Sequence, residues 1–189
     1  MPSPQRRLLP AALPVLCTGL LLLLSAGPAA QARLDLAAAK GKGEATLLSA
    51  LLRSRELWAT IDVCNPADQR NMIGVRGSMP GDRHAGDTMW MSFRLQYPNS
   101  VTKKWTDLSS TVTSFVVVGH GGSVRQGGRS FLLVPKAGRA PSTLRGFVNY
   151  QWRRGSRVLQ SGTRETSAGH SSRAGADPPG FSAATCVIG

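Results

Sequence analysis

Two thiols and a run of guanidinium groups carry most of the chemistry open to this chain. Of its three cysteines, Cys17 lies in an apolar N-terminal run, which leaves Cys64 and Cys186. Two thiols so far apart lack the paired spacing of a zinc knuckle. There is no C-x-x-C pair to support a redox role. In an exported chain they most simply form one structural disulfide. The closed loop would hold nearly the whole folded body, and in the chain-entropy model such a loop contributes roughly 4–5 kcal/mol.

The guanidinium groups cluster late in the sequence. Arg139, Arg145, Arg153, Arg154, Arg157, Arg164 and Arg173 are opposed over that stretch only by Glu165. If residues 144–166 fold as a hairpin, Arg153, Arg154 and Arg157 crowd its tip, beside Trp152. Such a cluster can hold phosphate or carboxylate and stack on rings, so these four residues are the candidate anion-binding site. The competing reading is a solvated edge that charge protects from aggregation.

Three other constellations fall short of a site. Gly119-His120-Gly121-Gly122-Ser123 looks like the glycine-rich oxyanion loop of esterases, but the chain has no G-x-S-x-G nucleophile elbow to go with it. Asp82, His84 and Asp87 offer carboxylates and an imidazole. They are too few for a calcium site, and Arg83 opposes a cation, so a solvated turn is expected there and no metal. Paired carboxylates for glycosidase work are poorly supported, because the acids fall mostly in turns. Asp62, mid-strand opposite Ile61, is expected to pair with a surface arginine. No catalytic residue and no cofactor is assigned.

The elements that would position these residues read mainly as strands. Leu57, Ala59, Ile61 and Val63 alternate with Trp58, Thr60 and Asp62 and lead into Cys64, giving a strand with one buried face. Met72–Ser78 reads as a second strand. Met89, Met91, Phe93, Leu95 and Tyr97 give the cleanest alternation in the chain. Trp105–Leu108 reads as a brief strand. Phe115–Val118 reads as a central strand buried on both sides, and Phe131–Val134 as another strand. Leu144–Arg153 and Val158–Thr166 form a hairpin about Arg154-Gly155-Ser156. Ser182–Ile188 is the last strand. Gly119–Gly128 reads as a flexible turn and Ser167–Gly180 as a long loop. Upstream, residues 33–43 read as a linker. Leu47, Leu48, Leu51 and Leu52 fall on one face of a short helix, with a disordered spacer as the alternative. The expectation is an all-β, antiparallel immunoglobulin-like sandwich of seven to nine strands over residues 57–189, behind a linker or short helix over 33–56. The disulfide would join its first strand to its last.

The hairpin Phe147-Val148-Asn149-Tyr150-Gln151-Trp152-Arg153-Arg154-Gly155-Ser156-Arg157-Val158-Leu159, with Cys64 upstream, resembles uncharacterised exported proteins of high-GC bacteria. These carry immunoglobulin-like or fibronectin-type-III-like sandwiches. The resemblance implies a fold and an exported setting, and no activity. The chain departs from true immunoglobulin domains, where the core tryptophan follows the first cysteine closely.

Residues 1–32 have the form of a secretory signal. Arg6 and Arg7 precede an uncharged apolar run from Leu8 to Leu24, and Ala30-Gln31-Ala32 is a small-x-small cleavage site. A retained anchor would need about 20 apolar residues, and Pro10 and Pro14 break this run. Leu16 before Cys17 does not fit a lipobox. The residues after the arginine pair fit twin-arginine export poorly. Cleavage leaves enough chain for one domain with a real core. The formal charge is +13, arginine outnumbering lysine 18 to 5. That excess suits an anionic polysaccharide or wall polymer, and it equally suits a high-GC coding sequence. The expected protein is extracellular and non-enzymatic, a binding or structural module engaging anionic envelope polymers or a protein partner. Nucleic acid and a stable membrane span are not expected. A secreted hydrolase, or a protease inhibitor presenting Gly119–Gly128, is the alternative.

Overall fold

The computed structural model describes residues 28–135, 138, 140–170 and 175–189. The apolar run of the expected signal, Cys17, Arg139 and Arg173 lie outside the described residues. Two compact units divide the chain, Met1–Ala39 and Lys40–Gly189. The described part of the first is helical and begins α1, Pro28–Leu51. Among the described residues no helix is long and apolar enough to cross a membrane.

The linker expected over residues 33–43 is helix instead. Gly41 and Gly43 each cost about 1 kcal/mol relative to alanine. Ala37, Ala38 and Ala39 before them, with Ala45 and the leucines after them, favour continuation. The leucine face is as expected: Leu51 is buried, and Leu48 and Leu52 pack against the core. Gly162 makes room for this contact, since a Cβ there would lie 2.6 Å from Leu52 Cδ2.

The second unit is an antiparallel sandwich-like fold. Its strands are β1 (Trp58–Cys64), β2 (Met72–Met79), β3 (Thr88–Pro98), β4 (Trp105–Asp107), β5 (Val116–His120), β6 (Arg125–Leu132), β7 (Ser142–Arg154), β8 (Arg157–Glu165) and β9 (Cys186–Ile188). One sheet has the order β1-β2-β6. The six-stranded second sheet has the order β4-β3-β7-β8, with β5 also on β3 and β9 also on β7. Period-two burial sets the register of the long strands. Met89, Met91, Phe93 and Leu95 face Trp152, Tyr150, Val148 and Gly146 across the β3–β7 pair, all on the inner face. The two large aromatics satisfy their polar ends inside the core. Tyr150 OH donates to the Trp58 carbonyl at 2.6 Å, and Trp152 Nε1 donates to the Pro80 carbonyl at 2.9 Å.

Cys64 and Cys186 form the disulfide, with Cα atoms 5.6 Å apart across a sequence separation of 122. It ties the end of the first strand to the start of the last, as the spacing suggested.

Four local expectations are corrected. β1 is buried on both faces, because the returning segment 175–185 covers its far side. Ile61 bridges Ala183, and Thr60 Oγ1 lies 2.7 Å from Ser182 Oγ. The apolar run at 115–118 is an edge rather than a buried centre: Val116 and Val117 are 51% and 50% exposed. The glycine stretch is a turn only over 121–124, after which Arg125-Gln126-Gly127-Gly128 continue as strand. Gly127 is required where the sheets approach closely, since a Cβ there would meet Val118 Cγ1 at 2.6 Å and Met91 Sδ at 3.3 Å. The last strand is shorter than expected and begins only at Cys186.

Candidate functional site

The arginine-rich tip does not converge as its sequence suggests. Trp152 is fully buried and bonded to Pro80, so it is a core residue and contributes no ring to an anion site. Arg153 and Arg154 are consecutive on β7 and therefore point to opposite faces. Arg157 is exposed across the turn, where it pairs with Arg154 in the β-ladder.

Arg153 belongs to the outer face of the six-stranded sheet. Its guanidinium lies 4.3 Å from the Trp90 ring centroid and 5.3 Å from that of Phe115, and its Nε donates to Gln151 Oε1 at 2.7 Å. Two further guanidinium groups repeat this arrangement along the sheet. Arg94 stands 4.0 Å over Phe147, and Arg145 stands 4.5 Å over Trp105. Amides and hydroxyls fill the rows between. Gln96 Nε2 donates to Asp107 Oδ1 at 2.7 Å, and Arg145 Nε donates to Gln96 Oε1 at 2.9 Å. Asn149 Nδ2 donates to Ser92 Oγ at 2.8 Å. Arg94 pairs with Asp107 at 2.8 Å, and Arg145 pairs with Glu165. Among the described residues Arg153 has no carboxylate partner. From Arg145 to Arg153 this ladder is roughly 27 Å long at about 3.4 Å per residue. Sequence reading missed it, although the outward positions of β3 and β7 spell it out: Trp90, Arg94 and Gln96 beside Arg145, Phe147, Asn149, Gln151 and Arg153.

Arg154 points into a corner of the domain formed by residues 80–87 and the β5–β6 turn. Its Nε and Nη2 donate to Asp87 Oδ1 and Oδ2, both at 2.8 Å, and Glu44 Oε1 of α1 lies 3.1 Å from Nη2. Asp82 and Asp87 are only 1% and 2% exposed, so this is not the solvated turn expected from sequence. Asp82 Oδ1 accepts the His84 backbone N–H at 2.9 Å, while Oδ2 is buried without a hydrogen-bond partner among the described residues. Burial pushes the Asp82 carboxyl above the ordinary aspartate value. The bidentate Arg154 bond holds Asp87 below it.

The glycines beside this corner have a steric explanation. A side chain at Gly121 would run into Asp82 Oδ1, and one at Gly81 would run into the Gly121 carbonyl. The Gly-His-Gly-Gly-Ser motif is thus the surface against which the acidic loop closes. Arg83 N–H donates to the Gly121 carbonyl at 3.0 Å, and Gly121 N–H donates to the Asp87 carbonyl at 2.9 Å. Asp62, the remaining acid singled out in the sequence, does pair with an arginine: Arg76 Nε lies 2.7 Å from its Oδ2.

No family model matches the chain, and no curated protein matches it. Two solved structures are similar to it at low superposition scores. One is the Pseudomonas fluorescens alkylpurine DNA glycosylase AlkC, bound to DNA containing an abasic site analog. It is 16% identical with a TM-score of 0.32, and the match covers 59% of this chain and 28% of that one. The other is the sporulation control protein Spo0M from Bacillus subtilis. It is 12% identical with a TM-score of 0.29, and the match covers 59% of this chain and 49% of that one. The chain spans less than half the length of either.

Proposed function

We propose that this protein is an exported, non-catalytic binding module that holds anionic envelope polysaccharide on the outer face of its six-stranded sheet. The observation that carries the reading is the row of three guanidinium groups, each standing over an aromatic ring. A sugar ring packs beside such rings, and its carboxylate or sulfate accepts first from Arg153, which has no carboxylate partner among the described residues, while Arg94 and Arg145 are paired with Asp107 and Glu165. The length of the row favours a polymer over a small molecule. Export is supported by the charged-then-apolar pattern of the N-terminus and by the disulfide, which is rare in reducing compartments. An immunoglobulin-like or fibronectin-type-III-like lineage belongs to the same proposal. It is supported by the order β1-β2-β6 in one sheet and β3-β7-β8 within the other, which parallels strands A, B, E and C, F, G of such sandwiches, although β4, β5 and β9 extend the second sheet here.

Retention on immobilised heparin under a salt gradient tests the site. Arg153→Gln and Trp90→Ala should elute at clearly lower salt than the wild type, and Arg157→Gln should elute with it. Loss of retention in Arg157→Gln alone would return the site to the hairpin tip. Wild-type elution of both outer-face variants would end the proposal. Turnover on a panel of ester and glycoside substrates would instead favour the hydrolase.

A further inference from the structure

We infer that Asp82, His84 and Asp87 form a binding site for one divalent transition-metal ion, Zn²⁺ or Mn²⁺. One carboxylate oxygen from each aspartate and one imidazole nitrogen lie within 4.8 Å of one another, a spacing over which a single ion can gather all three. The second, independent observation is the state of Asp82. Its Oδ2 is buried and receives no hydrogen bond from any of the described residues, although the side chain is almost wholly removed from solvent. A buried carboxylate oxygen left this way is costly unless a cation or a proton sits against it.

The charge balance leaves room for the ion. Asp87 and Glu44 share one guanidinium, Arg154, and Asp82 adds a third carboxylate beside Asp87 with no ion pair of its own among the described residues. Arg154 takes one lone pair from each Asp87 oxygen, and each keeps a second. Arg83, on the same turn, is exposed, so its charge is screened by water. His84 is exposed as well, which gives the ion a way in and water to complete its coordination. Its Nδ1 lies 3.2 Å from the Asp82 carbonyl oxygen, a contact of the kind that orients a metal-binding imidazole. Two carboxylate oxygens with one imidazole suit Zn²⁺ or Mn²⁺. Ca²⁺ takes six to eight oxygen ligands and gains nothing from the ring. The β5–β6 turn holds the loop in place, because Gly121 lets the backbone lie directly on Asp82.

The test uses the full chain with its disulfide intact, stripped with chelator and dialysed separately against Zn²⁺, Mn²⁺ and Ca²⁺. The expected result is one Zn²⁺ or Mn²⁺ per chain with a rise in Tm. Affinity should fall at least tenfold in both Asp82→Asn and His84→Ala, and His120→Ala should bind as the wild type. His84 is exposed, so His84→Ala keeps its fold even where Asp82→Asn fails to. No stoichiometric uptake, uptake of Ca²⁺ alone, or wild-type affinity in His84→Ala would each overturn the site. In those cases the buried oxygen holds a proton shared with Asp87. Heparin retention does not enter this readout, so the two proposals can fail separately.

Discussion

Arg153 and Arg154 differ by one position on β7 and work in opposite settings. Arg154, though its side chain is still about half exposed (48%), reaches into a corner, where a bidentate bond to a buried carboxylate engages two of its donors. Arg153 is half-buried on the outer face of the sheet, where it lies over rings and a neutral amide and, among the described residues, meets no carboxylate that would cancel its charge. The first is a structural counter-ion. The second is the cation that the proposed function assigns to a ligand. Arginine content alone cannot separate these roles, whereas strand parity does, because it assigns each residue to a face before any contact is known.

The sharpest way to break the comparison is to force the corner open. Gly121→Ala places a methyl against Asp82 and the His84 carbonyl. It should destabilise the domain by about 3 kcal/mol in urea unfolding, at the upper end of overpacking costs. Heparin retention of the folded fraction should stay unchanged. A change in retention would show that corner and face are coupled.

Arg154→Ala should come next in size and carry a pH signature. Arg154 holds the Asp87 carboxyl low in the folded state, so that bond contributes stability above the ordinary aspartate value of 3.8 and loses it as pH falls. The gap in Tm between wild type and variant should therefore hold from neutrality down to about 3.8 and narrow as pH falls below it. A gap that is constant with pH would mean that Arg154 acts through packing alone.

Arg153→Gln should sharpen the comparison from the other side. Its stability should fall by only about 0.5–1 kcal/mol, for the lost stacking on Trp90 and Phe115, while its retention falls. The smallest effect belongs to His170, whose ring stacks on Trp58 with centroids 4.8 Å apart. Burial lowers its pKa below the ordinary 6.5, so the folded state binds its proton less readily than the unfolded state. Stability should dip slightly as pH falls through that region, and His170→Phe should remove the dip.

The strands were legible wherever one side of a sheet met the core and the other met water. β3 and β7 alternate cleanly, and the pairing of Met91 with Tyr150 follows from that alternation. Legibility failed where a second layer changed the environment. β1 looks half-buried because nothing local signals that residues 175–185 cover its polar face. Val116 and Val117 look buried because an apolar run does not reveal that it lies at an edge. At the corner, the acids and the glycine motif were each visible, but their meeting depends on tertiary contacts between loops some forty residues apart. Trp152 drew attention as a ring beside arginines, although its place in the inward series Val148, Tyr150, Trp152 already marked it as core.

The cross-link between β1 and β9 also sets an order of events during synthesis. Once the segment holding Cys17 has been removed, as the proposed export requires, a chain made from its N-terminus presents Cys64 with no intramolecular mate until 122 more residues have followed. Any product that stops short of Cys186 carries a lone thiol and an uncovered first strand, and is poised to join another molecule through either. Closing the loop therefore reports that the domain has been delivered whole, and covalent dimers in a preparation would count the chains that were not.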